Sequence, residues 1–395
     1  MDNNDIVNEE EFDLAEAFFD GEEKERPLAL LETLWFGLDY GSILTAFALY
    51  NTVRSFGWDA HLMNKPPELW TDHYADPDNI AGKFIYKYCE VEPVADDPSI
   101  MEWIVYDKDA FIVGSDVIWS YKVCGKQSGK HYFLDYVPED RIKLSYATSF
   151  GYSYSGPYGD DQKACGKLLS SFDAVSVNNY ISADILYSRF GIDGETVLDP
   201  VFLCSTEEYE KAAANAPCRG QESDSTFIFT YIKGGSKRKR EFVLLGNDIL
   251  ASRSFSPMRS FIDINAFPES REMFGLDVAF HITVEDWLYY MIHSEFVITD
   301  DYYGVCFAII FNKPFVFIDS LSYDGLNNVY ALLSSLGLED RMVNVDDDFK
   351  DKEYLFRMPI RYNKVNRRLS AMREQSAGWL RSRLPLNEKE AQDIG

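Results

Sequence analysis

A few short segments carry residue types from which chemistry can be built. Asp39-Tyr40-Gly41-Ser42 combines a glycine, which lets a backbone approach a ligand, with the start of an apolar helix whose first N–H groups can meet an anion. A tight turn with a helix cap explains the same residues. Gly114-Ser115-Asp116 follows the apolar run Phe111-Ile112-Val113, where small side chains leave space and Asp116 can accept a hydrogen bond from a sugar hydroxyl or cap a helix. Gly234-Gly235-Ser236, with Lys233 before it and Lys237, Arg238, Lys239 and Arg240 after it, is the densest positive cluster in the chain. It suits a phosphate or diphosphate held by backbone N–H groups and cations, although it matches neither the Walker pattern nor GxGxxG, and a solvated basic surface is its rival reading. Thr299-Asp300-Asp301-Tyr302-Tyr303-Gly304 sets adjacent carboxylates and tyrosines before an apolar helix. The carboxylates repel one another, the rings can stack on a sugar, and Asp300 can equally serve as an N-cap.

The chain excludes other chemistries. Its 5 histidines lie outside all these segments, so no Ser-His-Asp or Cys-His arrangement is expected. Its 6 cysteines are scattered without a two-residue spacing, which points to a reduced, cytoplasmic protein, and neither a metal nor a cofactor is expected. Lys plus Arg number 38 against 65 Asp plus Glu, a net charge of −27, which argues against a nucleic-acid or anionic-membrane partner. No apolar run is long enough for a membrane span, and the first residues do not read as a cleavable signal. Residues 1–25 hold eleven of the carboxylates against Lys24 alone. They read as a solvated acidic tail, with the alternative that Phe12, Leu14, Phe18 and Phe19 dock as one amphipathic turn.

The elements that must position these segments alternate between strand and helix. An apolar strand at 28–35, a helix built on 43–53 with Gly57 at its end, and a strand at 58–63 form a βαβ unit. Strands at 110–113, 143–147, 174–177 and 196–198 and helices at 162–171 and 180–190 continue it. After a polar connection the rhythm restarts, with strands at 226–232, 260–264, 296–299 and 314–318 and helices from 238 and at 284–292, 304–311 and 326–336. A long helix of mixed charge covers 360–384. Alternation of this kind predicts parallel sheets covered by helices. We expect an acidic tail at 1–25, a Rossmann-like domain at 26–205, a connection at 206–225, a second Rossmann-like domain at 226–358, and a C-terminal helix and tail at 359–395.

Taken in order, these pieces resemble the polysaccharide pyruvyl transferase family from about residue 28 to 384. The first piece is Asp39-Tyr40-Gly41-Ser42-Ile43-Leu44 with Ala46-Phe47-Ala48-Leu49. Then come Phe111-Ile112-Val113-Gly114-Ser115-Asp116 with Trp119, Tyr132-Phe133-Leu134, Ser145-Tyr146-Ala147-Thr148-Ser149-Phe150-Gly151, and Val197-Leu198-Asp199-Pro200. The last is Val297-Ile298-Thr299-Asp300 with the segment from Phe307 to Phe315. The resemblance implies two Rossmann-like domains facing a cleft, as in GT-B glycosyltransferases, with the C-terminal helix returning to the first domain. It also implies transfer of an enolpyruvyl unit from phosphoenolpyruvate onto a sugar of a cell-surface polysaccharide.

The chain departs from the family at the positions an anionic donor uses. The family histidine is Tyr303, the position that is arginine in some members is Asp301, and the family arginine and glutamate after Ser176-Val177 are Asn178 and Asn179. Three readings follow. The chain is a pyruvyl transferase-like enzyme with an altered donor site; or a GT-B glycosyltransferase using a nucleotide sugar, in which Asp301 or Asp116 deprotonates an acceptor while the loop at 233–240 holds the nucleotide diphosphate; or a catalytically silent relative that binds a glycan precursor or a partner glycan-assembly enzyme. In the transferase readings Asp301, Tyr303 and Asp116 are the catalytic candidates. Asp39, Tyr40, Gly41, Ser42, Gly114, Ser115, Asn178, Asn179, Tyr302 and Gly304 would line the substrate site, with Gly234, Gly235, Ser236, Lys237 and Arg238 on the donor phosphate. The acceptor would be a sugar, free or lipid-linked.

Overall fold

The computed structural model describes residues 26–36, 39–68, 78–126, 128–151, 154–219, 227–233, 236–251, 282–319 and 323–386. The acidic tail, the strand expected at 260–264, the glycine pair at 234–235, and parts of the expected connection and C-terminal tail lie outside them.

In the first half the strands are β1 (Leu28–Glu32), β2 (Asp59–Asn64), β3 (Val91–Val94), β4 (Ala110–Val113), β5 (Ile142–Thr148), β6 (Ala174–Val177) and β7 (Glu195–Thr196). They form one parallel sheet in the order β3-β2-β1-β4-β5-β6-β7. Its helices are α1 (Tyr40–Ser55), α2 (Ile80–Tyr88), α3 (Pro98–Tyr106), the single turn α4 (Tyr121–Cys124), α5 (Gly159–Leu169) and α6 (Tyr180–Phe190). The order reverses between β1 and β4, so the loops after those strands diverge and leave a crevice between them, the usual ligand position in such sheets. Those loops carry Asp39 and Asp116.

After α7 (Thr206–Ala213) the second half has β8 (Ile228–Tyr231), α8 (Lys237–Ala251), α9 (Val284–His293), β9 (Phe296–Thr299), α10 (Tyr302–Ile310), β10 (Phe315–Asp319), α11 (Tyr323–Leu336) and β11 (Met342–Asn344). Its parallel sheet runs β11-β10-β9-β8. The final helix α12 (Tyr362–Arg381) starts on the second half, where the Tyr362 hydroxyl donates to the Lys313 and Ala308 carbonyls. It ends on the first, where the Ser376 hydroxyl accepts from Leu198 N at 3.0 Å and the Trp58 indole donates to the Leu384 carbonyl at 3.2 Å.

Several boundaries differ from the sequence expectation. The strand expected at 28–35 ends at Glu32, and the strand expected at 196–198 is the short β7. The helices α2 and α3 and the edge strand β3 were not expected at all. β3 reads Val-Glu-Pro-Val, and a proline inside so short a run conceals a strand that only an edge position tolerates. Gly57, at φ 93, follows α1 as expected.

One apolar cluster runs through both halves, from Ala29, Phe47 and Tyr146 to Trp287, Phe307 and Leu380. Tyr40 bridges them, stacked on Trp287 with ring centroids 5.9 Å apart and donating its hydroxyl to the Ile282 carbonyl at 2.8 Å. The carboxyl ends of the two sheets therefore meet over a fixed seam.

Candidate active site between the two sheets

Asp39 and Asp301 are both helix N-caps, one from each half. The Asp39 carboxylate accepts from Gly41 N at 3.1 Å; Asp301 accepts from Tyr303 N at 2.9 Å and Gly304 N at 3.1 Å. The two caps share one ammonium, because Lys233, in the loop after β8, lies 2.9 Å from Asp39 and 2.7 Å from Asp301. Burial alone would lower the Lys233 pKa, but the charges of Asp301 and Asp39 reverse the shift and raise it. Burial raises Asp301, with the Asp39 charge adding to it and Lys233 opposing. Behind this triad, Asp300 accepts from Lys233 N at 2.7 Å and from the buried Lys239 ammonium at 2.6 Å. Asp300 is thus the anchor of a loop, and Asp301 rather than Asp300 is the cap.

Two further carboxylates adjoin the triad. Asp116 adopts φ 72 just beyond Gly114, whose φ is 139, and a Cβ on Gly114 would lie 1.9 Å from the Tyr146 carbonyl oxygen, so only glycine fits. Burial, reinforced by the Asp39 charge, pushes the Asp116 carboxyl up to about 6. Asp199, buried, caps the turn after β7 by accepting from Val201 N at 3.1 Å. Burial pushes it up to about 7, with the Asp116 charge adding to the rise and the hydrogen bond from Val201 N and the nearby Thr45 and Tyr303 hydroxyls limiting it. Between these groups lies Tyr303, itself buried and raised well above the usual tyrosine range by burial and by Asp116 and Asp199.

A recess of about 250 Å3 opens beside Asp199, lined by Asn178, Asn179, Tyr180 and Tyr302 and closed by α11 and by Met372, Gln375 and Ser376 of α12. Tyr180 is well exposed at its mouth. Asn179 caps α6 through Ser182 N at 2.8 Å and donates to Asn178 at 2.6 Å.

Of the residues singled out in the sequence, Asp39, Asp116, Asp301 and Tyr303 come together. Asn178, Asn179 and Tyr302 line the adjoining recess. Tyr40, Gly41, Ser42, Ser115 and Gly304 are buried in the packing around them. A Cβ on Gly41 would meet the Tyr303 ring at 1.9 Å, and one on Gly304 would meet the Thr299 hydroxyl at 2.2 Å. Both glycines serve close packing. Of the expected phosphate loop, Gly234 and Gly235 lie outside the described residues. Arg238 donates to the Val345 and Asp347 carbonyls, Lys237 is exposed opposite Glu241, and Ser236 accepts from Lys239 N. Two contributors do not stand out as site residues in the sequence: Lys233, which is part of a basic cluster, and Asp199, which lies within Val197-Leu198-Asp199-Pro200. Among the described residues no group of His, Cys, Asp and Glu side chains is arranged to hold a metal ion.

Two parallel sheets with their carboxyl ends converging on a polar cleft define a GT-B-like fold, and solved structures share it. The chain superimposes on the UDP-GlcNAc 2-epimerase from Neisseria meningitidis, bound to UDP-GlcNAc, with a TM-score of 0.53 at 11% identity, covering 91% of this chain and 99% of that one. A putative UDP-N-acetylglucosamine 2-epimerase from Listeria monocytogenes gives 0.55 at 10% identity, over 90% and 95%. S. aureus MnaA with UDP gives 0.50 at 12% identity, over 93% and 98%. No curated protein matches the sequence. The family model for polysaccharide pyruvyl transferase matches residues 39–322, and the chain belongs to that family. No helix among the described residues is long and apolar enough to cross a membrane.

Proposed function

We propose that the protein is a glycan-modifying transferase that joins a pyruvyl unit from phosphoenolpyruvate to hydroxyl groups of a cell-surface glycan or its precursor. Asp199 is the general acid and Asp116 the general base. The observation that carries this reading is the family match over residues 39–322 together with a cleft in which Lys233 meets Asp39 and Asp301 and burial raises two neighbouring carboxyls, to about 7 and about 6. Near neutral pH one is largely ionised and the other about half protonated, the condition for moving protons in both directions. Ketal formation needs both transfers: a proton from the acid reaches the methylene carbon of the donor as the C2 centre becomes electrophilic, a sugar hydroxyl attacks C2 and gives its proton to the base, and the C2–O bond to phosphate breaks as a second hydroxyl closes the ring, its proton leaving with the phosphate. The sugar lies in the recess, with Tyr302 and Tyr180 as stacking surfaces and Asn178 as a hydrogen-bonding partner.

Lys233 is the cation at the cleft. Its ammonium is already held by two carboxylates, so the donor carboxylate displaces Asp39, the more exposed of the two at 39% against 10%. Tyr303 occupies the family's histidine position as a packed, neutral ring beside Asp199 and is not the proton source.

A second reading, a nucleotide-sugar donor, is supported by the fold shared with proteins solved with UDP-GlcNAc and UDP. The two readings separate by thermal shift, since a ligand that binds only the folded state raises its melting temperature. We expect phosphoenolpyruvate to stabilise the wild type and Lys233→Met to abolish the effect. Stabilisation by UDP-GlcNAc alone moves the protein to the second reading. Stabilisation by neither marks it as a silent relative.

A further inference from the structure

Away from the cleft, a second recess of about 480 Å3 lies where α11 ends and α12 begins. It adjoins Arg341, the residue immediately before β11, and so sits at the amino end of that parallel strand, whereas the cleft lies beyond the carboxyl ends. Its walls bring together Arg341, Arg361, Lys364 and Arg368 against a single lining carboxylate, Asp340. Positions 361, 364 and 368 fall on one face of α12, three and seven residues apart, with Val365 between them turned into the core.

In a chain of net charge −27 this is an unusual concentration of cations, three of them uncompensated. Among the described residues no carboxylate lies within ion-pair distance of Arg361, Lys364 or Arg368. The first turn of α12 holds no acidic residue, and Arg361, its N-cap, makes no side-chain capping bond, so the helix begins with positive charge where negative charge is favoured. Arg341 is buried to 1% side-chain exposure. Its two terminal nitrogens donate to the Leu355 and Met358 carbonyls at 3.0 and 2.7 Å, while Nε has no hydrogen-bond partner and lies 4.0 Å from Asp340. A cationic helix start and three cations without a carboxylate partner are relieved by one anion in the recess they line.

We propose that this recess is a second binding site, for a phosphate-bearing small molecule, with the oxyanion held by Arg361, Lys364 and Arg368 and the organic part laid against Met358, Pro359 and Ile360. A phosphate ester carries close to two negative charges near pH 7 and matches the arginine fork, and the volume is that of an ordinary small-molecule site.

The test is calorimetric titration of the full chain with inorganic phosphate and with phenyl phosphate at low ionic strength. Phenyl phosphate is expected to bind more tightly than phosphate, because only the ester uses the apolar wall. The double variant R361Q/R368Q is expected to weaken both roughly tenfold or more, the loss of a charge-assisted hydrogen bond. Lys364→Gln, at an exposed position that folding does not depend on, is expected to weaken them in the same direction. Lys233→Met, which alters the cleft, leaves binding as it is. Absence of binding by the wild type overturns the proposal, as does phosphate binding that survives R361Q/R368Q and Lys364→Gln or disappears in Lys233→Met.

Discussion

The raised carboxyls of half-buried Asp116 and buried Asp199 tie stability to pH with a definite sign. Each is raised in the folded chain, to about 6 and about 7, from an unfolded value of about 3.9. The folded state therefore holds more protons across this window, and the contribution of both groups to stability is fullest below about pH 4 and is lost as pH rises through 6 and 7. Asp199→Asn keeps an acceptor for Val201 N and removes the charge. It should raise the melting temperature most at pH 8 and least at pH 5, and an equal effect at both values would contradict the placement of Asp199. Activity should follow a bell with its maximum between about 6 and 7, rising as Asp116 ionises and falling as Asp199 loses its proton. Steric demand is equally local. A Cβ at Gly41 meets the Tyr303 ring at 1.9 Å, so Gly41→Ala is expected to destabilise by ~1–3 kcal/mol in urea melts and to do so much less in a Tyr303→Ala background.

Among the elements, α10 shows most clearly how the fold supports the site. Its cap, Asp301, satisfies two N–H groups and pairs with Lys233, so one side chain starts a helix and holds a cleft cation. Asp301→Ser retains a capping oxygen and loses only the pairing; Asp301→Ala loses both and is expected to be less stable than the serine variant by ~1–2 kcal/mol in urea denaturation. The strand-helix alternation was legible in the sequence because apolar runs and helical periodicity are local signals. Helix 180–190 has the bounds its sequence predicts, since Asn179 caps it and Gly191, at φ 68, ends it. The edge strand β3 was not legible, because edge strands tolerate proline and charge. Nor was the triad. Asp39 and Lys233 stand 194 residues apart, and no spacing rule links two caps and a lysine drawn from three loops. Asp199 is legible in the sequence as part of a motif but not as a carboxyl with a raised pKa, because the rise comes from burial.

For the molecule as a whole, α12 is the strap. It buries Val365, Leu369, Trp379 and Leu380 and carries the chain on to Leu384 beside Trp58. At ~1.5–3 kcal/mol for each fully buried apolar side chain, these five approach the entire stability of a typical domain. A chain ending at residue 361 is therefore expected to lack a cooperative melting transition by circular dichroism, and a folded truncated chain would refute the strap. The shared apolar cluster has one more consequence. Phe47, from the first half, packs against Tyr209, which packs in turn against Phe307 from the second, so neither sheet owns its hydrophobic face. Recombination between relatives at the junction of the halves would pair surfaces that never evolved together, and lineages of this protein should exchange whole chains more readily than halves.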